Sequence, residues 1–214
     1  MTAQPVSPIS DSWVHPPSVD VRMQSGRAAR RRVPRSSLSV LTTTTRDPLG
    51  ILDEQNGTRL QDLVPLRVAR MSQSPFAFYR GSAAVQAADL AADPHSGILV
   101  ASCGDAHVAN FGFYASPQRT LVFDLNDFDE AAWAPWEWDV KRLVTSIVIA
   151  GQDTSRDETV TQDAALAAVR AYARAIATSA RMSPLERFYT HYDVDQAINS
   201  TDPASRSAMR QAIA

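Results

Sequence analysis

A chain of 214 residues with one lysine, one cysteine and eight glycines is defined first by what it cannot build. The single lysine, Lys141, and the scarcity of glycine leave no Gly-x-Gly-x-x-Gly segment and no lysine-bearing strand. Those are the usual devices for gripping nucleotide phosphates. The lone Cys103 excludes an internal disulfide framework and fits a reducing compartment. No apolar run reaches the roughly 18 residues of a membrane span, and the N-terminus lacks the charged start and apolar core of a secretory signal. A formal net charge of -2 lacks the basic excess of a dedicated nucleic-acid binder. These absences point to a cytoplasmic protein with neither membrane nor nucleic acid as a partner.

What is present is unevenly spread. Hydrophobic residues make up 44% of the chain, enough to bury a core, but the large apolar runs begin only after Leu49. Residues 1–45 are rich in Pro, Ser, Thr and Arg without sustained apolar periodicity, and read as a disordered arm. Within it, Arg27, Arg30, Arg31, Arg32 and Arg35 form a basic cluster, either a phosphate contact or a solvated surface; the acidic overall balance favours the second reading.

Residues 46–198 read as one domain, α+β and mostly helical. Asp47-Pro48 and Ser74-Pro75 are helix starts, with a further short helix over Leu60–Met71. Gly81 predicts a bend or a close packing contact in the helix that follows Ser74. Gly97–Ser102 reads as a buried strand, and Phe111–Ala115 with Thr120–Leu125 as a hairpin. Val140, Leu143, Val144, Ile147 and Val148 fall on one helical face, with Asp139 as the predicted N-cap and Gly151 as the residue after the helix. Ser155 and Glu158 have the spacing of a capping box for a long Ala-rich helix. Trp133, Trp136 and Trp138 are expected in the core, and Cys103 as a small buried residue. Residues 199–214 read as a truncated helical tail.

Two polar loops interrupt the strand-like runs: Cys103-Gly104-Asp105-Ala106-His107-Val108-Ala109-Asn110, and Asn126-Asp127-Phe128-Asp129-Glu130. Metal-dependent phosphoryl transfer needs an acid that orients the acceptor hydroxyl and takes its proton. It also needs an amide oxygen and a carboxylate that hold magnesium against nucleotide phosphates. In kinases the acid and the amide lie five positions apart on one loop, and the metal carboxylate follows a hairpin. Here Asp105 and Asn110 have that spacing, a hairpin follows, and Asp127 comes after it. Asp124 and Asp129 are rivals for the metal carboxylate. His107 could hydrogen-bond the loop, help bind phosphate or ligate metal; magnesium's preference for oxygen favours a supporting role.

The segment Gly104-Asp105-Ala106-His107-x-x-Asn110 resembles the catalytic loop of the aminoglycoside phosphotransferase and choline kinase group, with Cys103 where that group often has histidine. The run Asp127-Phe128-Asp129-Glu130-Ala131, then Pro135 and Trp138-Asp139-Val140, is similar to the group's second motif. The resemblance implies Asp105 and His107 as catalytic, Asn110 and Asp127 on Mg2+, and Asp139 as the acid bracing the catalytic loop, with Gly104 supporting it. The fold implied is a kinase-like C-terminal-lobe core without its nucleotide-binding lobe. Longer motifs give a closer resemblance: Ser74–Gly81, Cys103–His107, Phe123–Glu130 and Pro135–Arg142 look like the bacterial domain-of-unknown-function 2252 family.

The implied activity is an ATP- and magnesium-dependent phosphotransferase on an unknown small-molecule or protein acceptor. Longer family members carry a Gly-rich segment and a lysine strand after this region, so a truncated or split member is expected, its missing lobe supplied by a downstream segment. The alternatives are a non-catalytic binding module on the same scaffold and a metal-dependent hydrolase using His107 with Asp105 and Asp127. No phosphate-binding residue can be assigned.

Overall fold

The computed structural model describes residues 17–42 and 46–201, together with residues 203, 206, 207 and 210. The rest of the expected arm and tail lies outside the described residues. The first element is α1 (Val19–Arg32), within the stretch read as disordered. Its signals are polar rather than apolar. Ser18 caps it by accepting the Val21 N–H, Asp20 sits in its first turn and Arg30, Arg31 and Arg32 in its last, each complementing the helix dipole. Only Ala29 on this helix is buried, so no apolar stripe announces it. The rest of the basic cluster is solvent-exposed as well.

Then come α2 (Pro48–Gly57), α3 (Val64–Met71), α4 (Pro75–Arg80) and α5 (Ala83–Ala92). Asp47 and Ser74 cap α2 and α4 through side-chain oxygens, and each helix opens on proline. Such caps contribute about 1 kcal/mol each. Gly81 ends α4, and a Cβ there would strike the Met71 thioether, so the glycine serves both as a bend and as a close contact. The segment before α2 is tied to α5: the Thr42 N–H donates to Asp93 Oδ1 at 2.7 Å, and Arg46 grips Asp89 with two N–H groups.

The strands β1 (Leu99–Ser102), β2 (Phe111–Ala115), β3 (Leu121–Leu125) and β4 (Ala132–Pro135) form two nested antiparallel pairs. Ser102 pairs with Ala132, and Phe111 pairs with Leu125. That register forces residues 103–110 and 126–131 to cross the same gap side by side. The nesting, more than any local propensity, brings the two polar loops together.

β1 is not the buried strand the sequence suggests. Leu99 is 55% exposed and only Ser102 is buried, because a two-stranded sheet leaves much of its surface uncovered. β4 carries Trp133, which is 76% exposed rather than in the core. Trp136 is half-buried and stacks on Tyr172, and Trp138 is half-buried.

α6 (Glu137–Asp153) starts two residues before the predicted N-cap, so Asp139 lies in its first turn and its carboxylate is turned to another use. Gly151 lies inside the helix, where a Cβ would strike Thr161 of α7 (Glu158–Ser179), so it marks the close approach of these two helices rather than an end. Asp157, not Ser155, caps α7 by accepting the Thr159 N–H. Ser155 instead takes a left-handed φ of 53° in the turn between the helices. After α8 (Pro184–Tyr189), which does carry a capping box between Ser183 and Glu186, comes α9 (Val194–Ser200). The strand β3 accepts this end of the chain: Phe123 N–H donates to the Tyr192 carbonyl at 2.7 Å, and Val122, Ala197 and Ile198 are buried. The architecture is therefore α+β and mostly helical. Among the described residues no helix is long and apolar enough to cross a membrane.

Candidate functional site

One face of α6 builds the first loop. Asp139, Arg142 and Ser146 stand at i, i+3 and i+7, so they line one side of the helix. The Asp139 carboxylate accepts the N–H groups of Cys103 and Gly104 at 2.8 and 3.0 Å, one on each oxygen. Arg142 Nε and Nη2 both lie 2.8 Å from Asp105 Oδ1. Ser146, fully buried, accepts the Val108 N–H at 2.8 Å. A single helix face thus fixes four positions of an eight-residue loop.

The second loop is fastened to the first. The Cys103 thiol donates to the Asp127 carbonyl at 3.1 Å, and the Asn126 N–H donates to the Asn110 carbonyl at 2.9 Å. Gly104 has φ +83°, and a Cβ on it would strike the Glu130 backbone carbonyl. Glycine is needed there for its backbone conformation and for the approach of the two loops.

The loops open on a cleft of about 950 Å³. Asp105, His107, Asn110, Asp127, Asp129 and Glu130 line it. Asp124 does not: it lies on β3 opposite Gly112, and its carboxylate accepts the N–H of the next residue, Leu125. The Asn110 side-chain N–H donates to the Asp105 carbonyl at 2.8 Å, which leaves its amide oxygen free of protein donors among the described residues. Asp127 Oδ1 accepts the Asp129 N–H at 3.2 Å, closing the second loop into a turn and leaving Oδ2 available.

Arg142 is the site residue that the sequence left without a role. Its side chain is 3% exposed, and it joins Asp105 to Gln86, to the Tyr79 carbonyl and, through its guanidinium face, to the Tyr79 ring at 4.0 Å. Asp105 Oδ1 is therefore engaged. Oδ2 lies 3.8 Å from His107 Nε2, too far for a hydrogen bond. Burial, together with the Arg142 and Arg80 charges, pushes the His107 pKa below its usual value against the pull of Asp105. The imidazole is accordingly neutral at pH 7, and its Nδ1 is buried without a protein partner. Burial also pushes the Cys103 thiol up, and the carboxylates of Asp139, Asp105 and Asp127 add to it against the Asp105 N–H. That thiol is a donor, not a nucleophile.

Among the described residues no three His, Cys, Asp or Glu side chains stand close enough to hold a metal ion between them. Arg59, Arg67, Arg70 and Arg80 line the same cleft. A family model described as "Uncharacterized protein conserved in bacteria (DUF2252)" matches residues 59–214. No curated protein and no solved structure matches the chain.

Proposed function

Because the chain belongs to the DUF2252 family of uncharacterized bacterial proteins, whose description assigns no reaction, we propose from the cleft itself a kinase-like phosphotransferase using ATP and magnesium. One observation carries the reading: Asp105, Asn110 and Asp127 line a single cleft, with the Asn110 amide anchored on the Asp105 carbonyl. Asp105 offers Oδ2 to an acceptor hydroxyl, whose oxygen bonds to the terminal phosphorus as the bond to the nucleotide's leaving oxygen breaks; the hydroxyl proton passes to Asp105. Asn110 Oδ1 and the Asp127 carboxylate are the oxygens that would hold magnesium. They fit that ion, which is usually bound by one or two protein groups together with water and phosphate oxygens. The metal would neutralise charge on the transferring phosphoryl group. Neutral His107 supports the wall beside Asp105.

A tightly ligated hydrolytic metal needs about three protein ligands, so the same donor set serves magnesium better than zinc. The observation favouring a non-catalytic binding module is Arg142, whose grip on Asp105 has the form of a structural ion pair.

Titration calorimetry with MgATP and a phosphate-transfer assay test the proposal. Binding is expected for the natural chain and should be lost in Asp127→Ala. Asp105→Asn should bind but transfer phosphate about 10²–10⁴-fold more slowly, the usual contribution of a positioned acid or base. Absence of MgATP binding, or binding indifferent to Asp127→Ala, overturns it. Binding without any turnover leaves the module.

A further inference from the structure

We infer that Arg59, Arg67, Arg70 and Arg80 form a binding site for a polyphosphate chain in the cleft that the two loops line. The choice of ligand rests on the phosphotransfer reading; the site itself rests on the following geometry. All four arginines line the cleft that Asp105, Asn110 and Asp127 also line. They come from structurally anchored places: Arg67 and Arg70 from α3, Arg80 from the last residue of α4, and Arg59 from the turn after α2. Arg67 is half-buried and donates to the Gly81 carbonyl at 2.6 Å, which fixes its stem across the α4 terminus.

None of the four has a carboxylate within ion-pair distance among the described residues, although Arg46, Lys141 and Arg142 all do. Four cations in one cleft repel each other. Burial and the Arg59 charge both push the Arg67 guanidinium below its usual value, while Glu130 and Asp105 only partly offset them. With no carboxylate paired to them, the guanidinium groups are available to an anion that enters the cleft. Planar guanidinium forks match phosphate oxygens two at a time, and several forks in a row suit a chain of phosphates better than a single carboxylate.

Among the described residues no other lysine or arginine lines the cleft. Lys141 is the only lysine, and it is bound to Asp93 at 3.2 Å, outside the cleft. The α1 arginines are solvent-exposed and do not line the cleft. Arginines on α3 and α4 are thus the cations that share the cleft with the acceptor acid and the magnesium oxygens of the proposed reaction.

The test is titration calorimetry of the full chain with sodium tripolyphosphate in EDTA, followed by MgATP. Tripolyphosphate should bind without metal, and Arg59→Gln/Arg70→Gln, two exposed positions, should weaken it by about tenfold or more. The double variant Arg30→Gln/Arg31→Gln removes the same charge from α1 and should leave binding unchanged; circular dichroism verifies that both variants fold. No tripolyphosphate binding, or equal weakening by the two double variants, overturns the site. MgATP binding indifferent to Arg59→Gln/Arg70→Gln overturns the arginine site and leaves the phosphotransfer reading standing. Arginine-dependent tripolyphosphate binding by a protein that does not bind MgATP upholds the site and overturns that reading.

Discussion

Arg142 reaches Asp105 with two nitrogens, Nε and Nη2, both 2.8 Å from the same carboxylate oxygen. The arginine is buried and the aspartate nearly so, and Gln86 and the Tyr79 carbonyl take the remaining N–H groups that the structure pairs. Removing one partner of such a pair leaves an uncompensated buried charge. Arg142→Met should therefore destabilise the fold by about 3–5 kcal/mol. Adding Asp105→Asn to Arg142→Met should recover part of that loss, since the orphaned charge disappears. Urea unfolding of the two single variants and the double variant measures this coupling; strictly additive losses would contradict the pairing.

The sequence was legible where the chain speaks locally. The cap-and-proline starts of α2 and α4 and the β2–β3 hairpin leave marks in short windows, whereas the β1–β4 pairing that nests around the hairpin does not. α6 shows where legibility stops. Its apolar stripe over Val140, Leu143, Val144, Ile147 and Val148 was readable as a helix face. The second stripe, Asp139, Arg142 and Ser146, was equally periodic but polar, and looks solvent-facing until the loop it binds is known. Polar periodicity is the signal that could have revealed it. The arginine wall left no such mark, because Arg59, Arg67, Arg70 and Arg80 converge only when α3 and α4 pack. α1 was missed for the opposite reason: caps and terminal charges hold it with almost no burial.

Asp139 takes two backbone N–H groups on two different oxygens. Asp139→Asn keeps the shape but offers one acceptor oxygen, so one of the Cys103 and Gly104 amides loses its partner. Hydrogen bonds to a charged group contribute about 1.5–3 kcal/mol, and a loss of that size is expected. Amide hydrogen exchange should localise it, with faster exchange at Cys103 or Gly104 and unchanged protection in α7. Uniform acceleration across the chain would mean that the carboxylate supports the fold generally and not the loop.

Cys103 is 4% exposed and donates its thiol proton to the Asp127 carbonyl. Burial and three surrounding carboxylates all disfavour the thiolate, and the thiolate is the reactive form. At mildly alkaline pH the folded protein should react with an aromatic disulfide reagent at least about 100-fold more slowly than free cysteine, because both access and ionisation are withheld. Denaturing urea should restore the ordinary rate. Prompt reaction in the native protein would place the thiol elsewhere.

His107 gives the site a pH dependence whose sign follows from its burial. The folded pKa lies below the ordinary histidine value of about 6.5, first through burial and then through the Arg142 and Arg80 charges, with Asp105 opposing them. As pH falls through about 6.5, the unfolded chain takes up a proton that the folded chain refuses, so protons drive unfolding. The penalty grows until pH reaches the folded value, below which both states are protonated and this contribution stays constant. The slope cannot exceed about 1.4 kcal/mol per pH unit for one group. His95, half-buried, and His191, exposed, remain in the comparison when His107→Gln is measured beside the natural chain. Unfolding free energies at several pH values between neutrality and the onset of carboxylate titration should fall more steeply for the natural chain than for His107→Gln. Parallel curves would show that the imidazole is already free to take its proton in the fold, and the neutral wall beside Asp105 would then be lost.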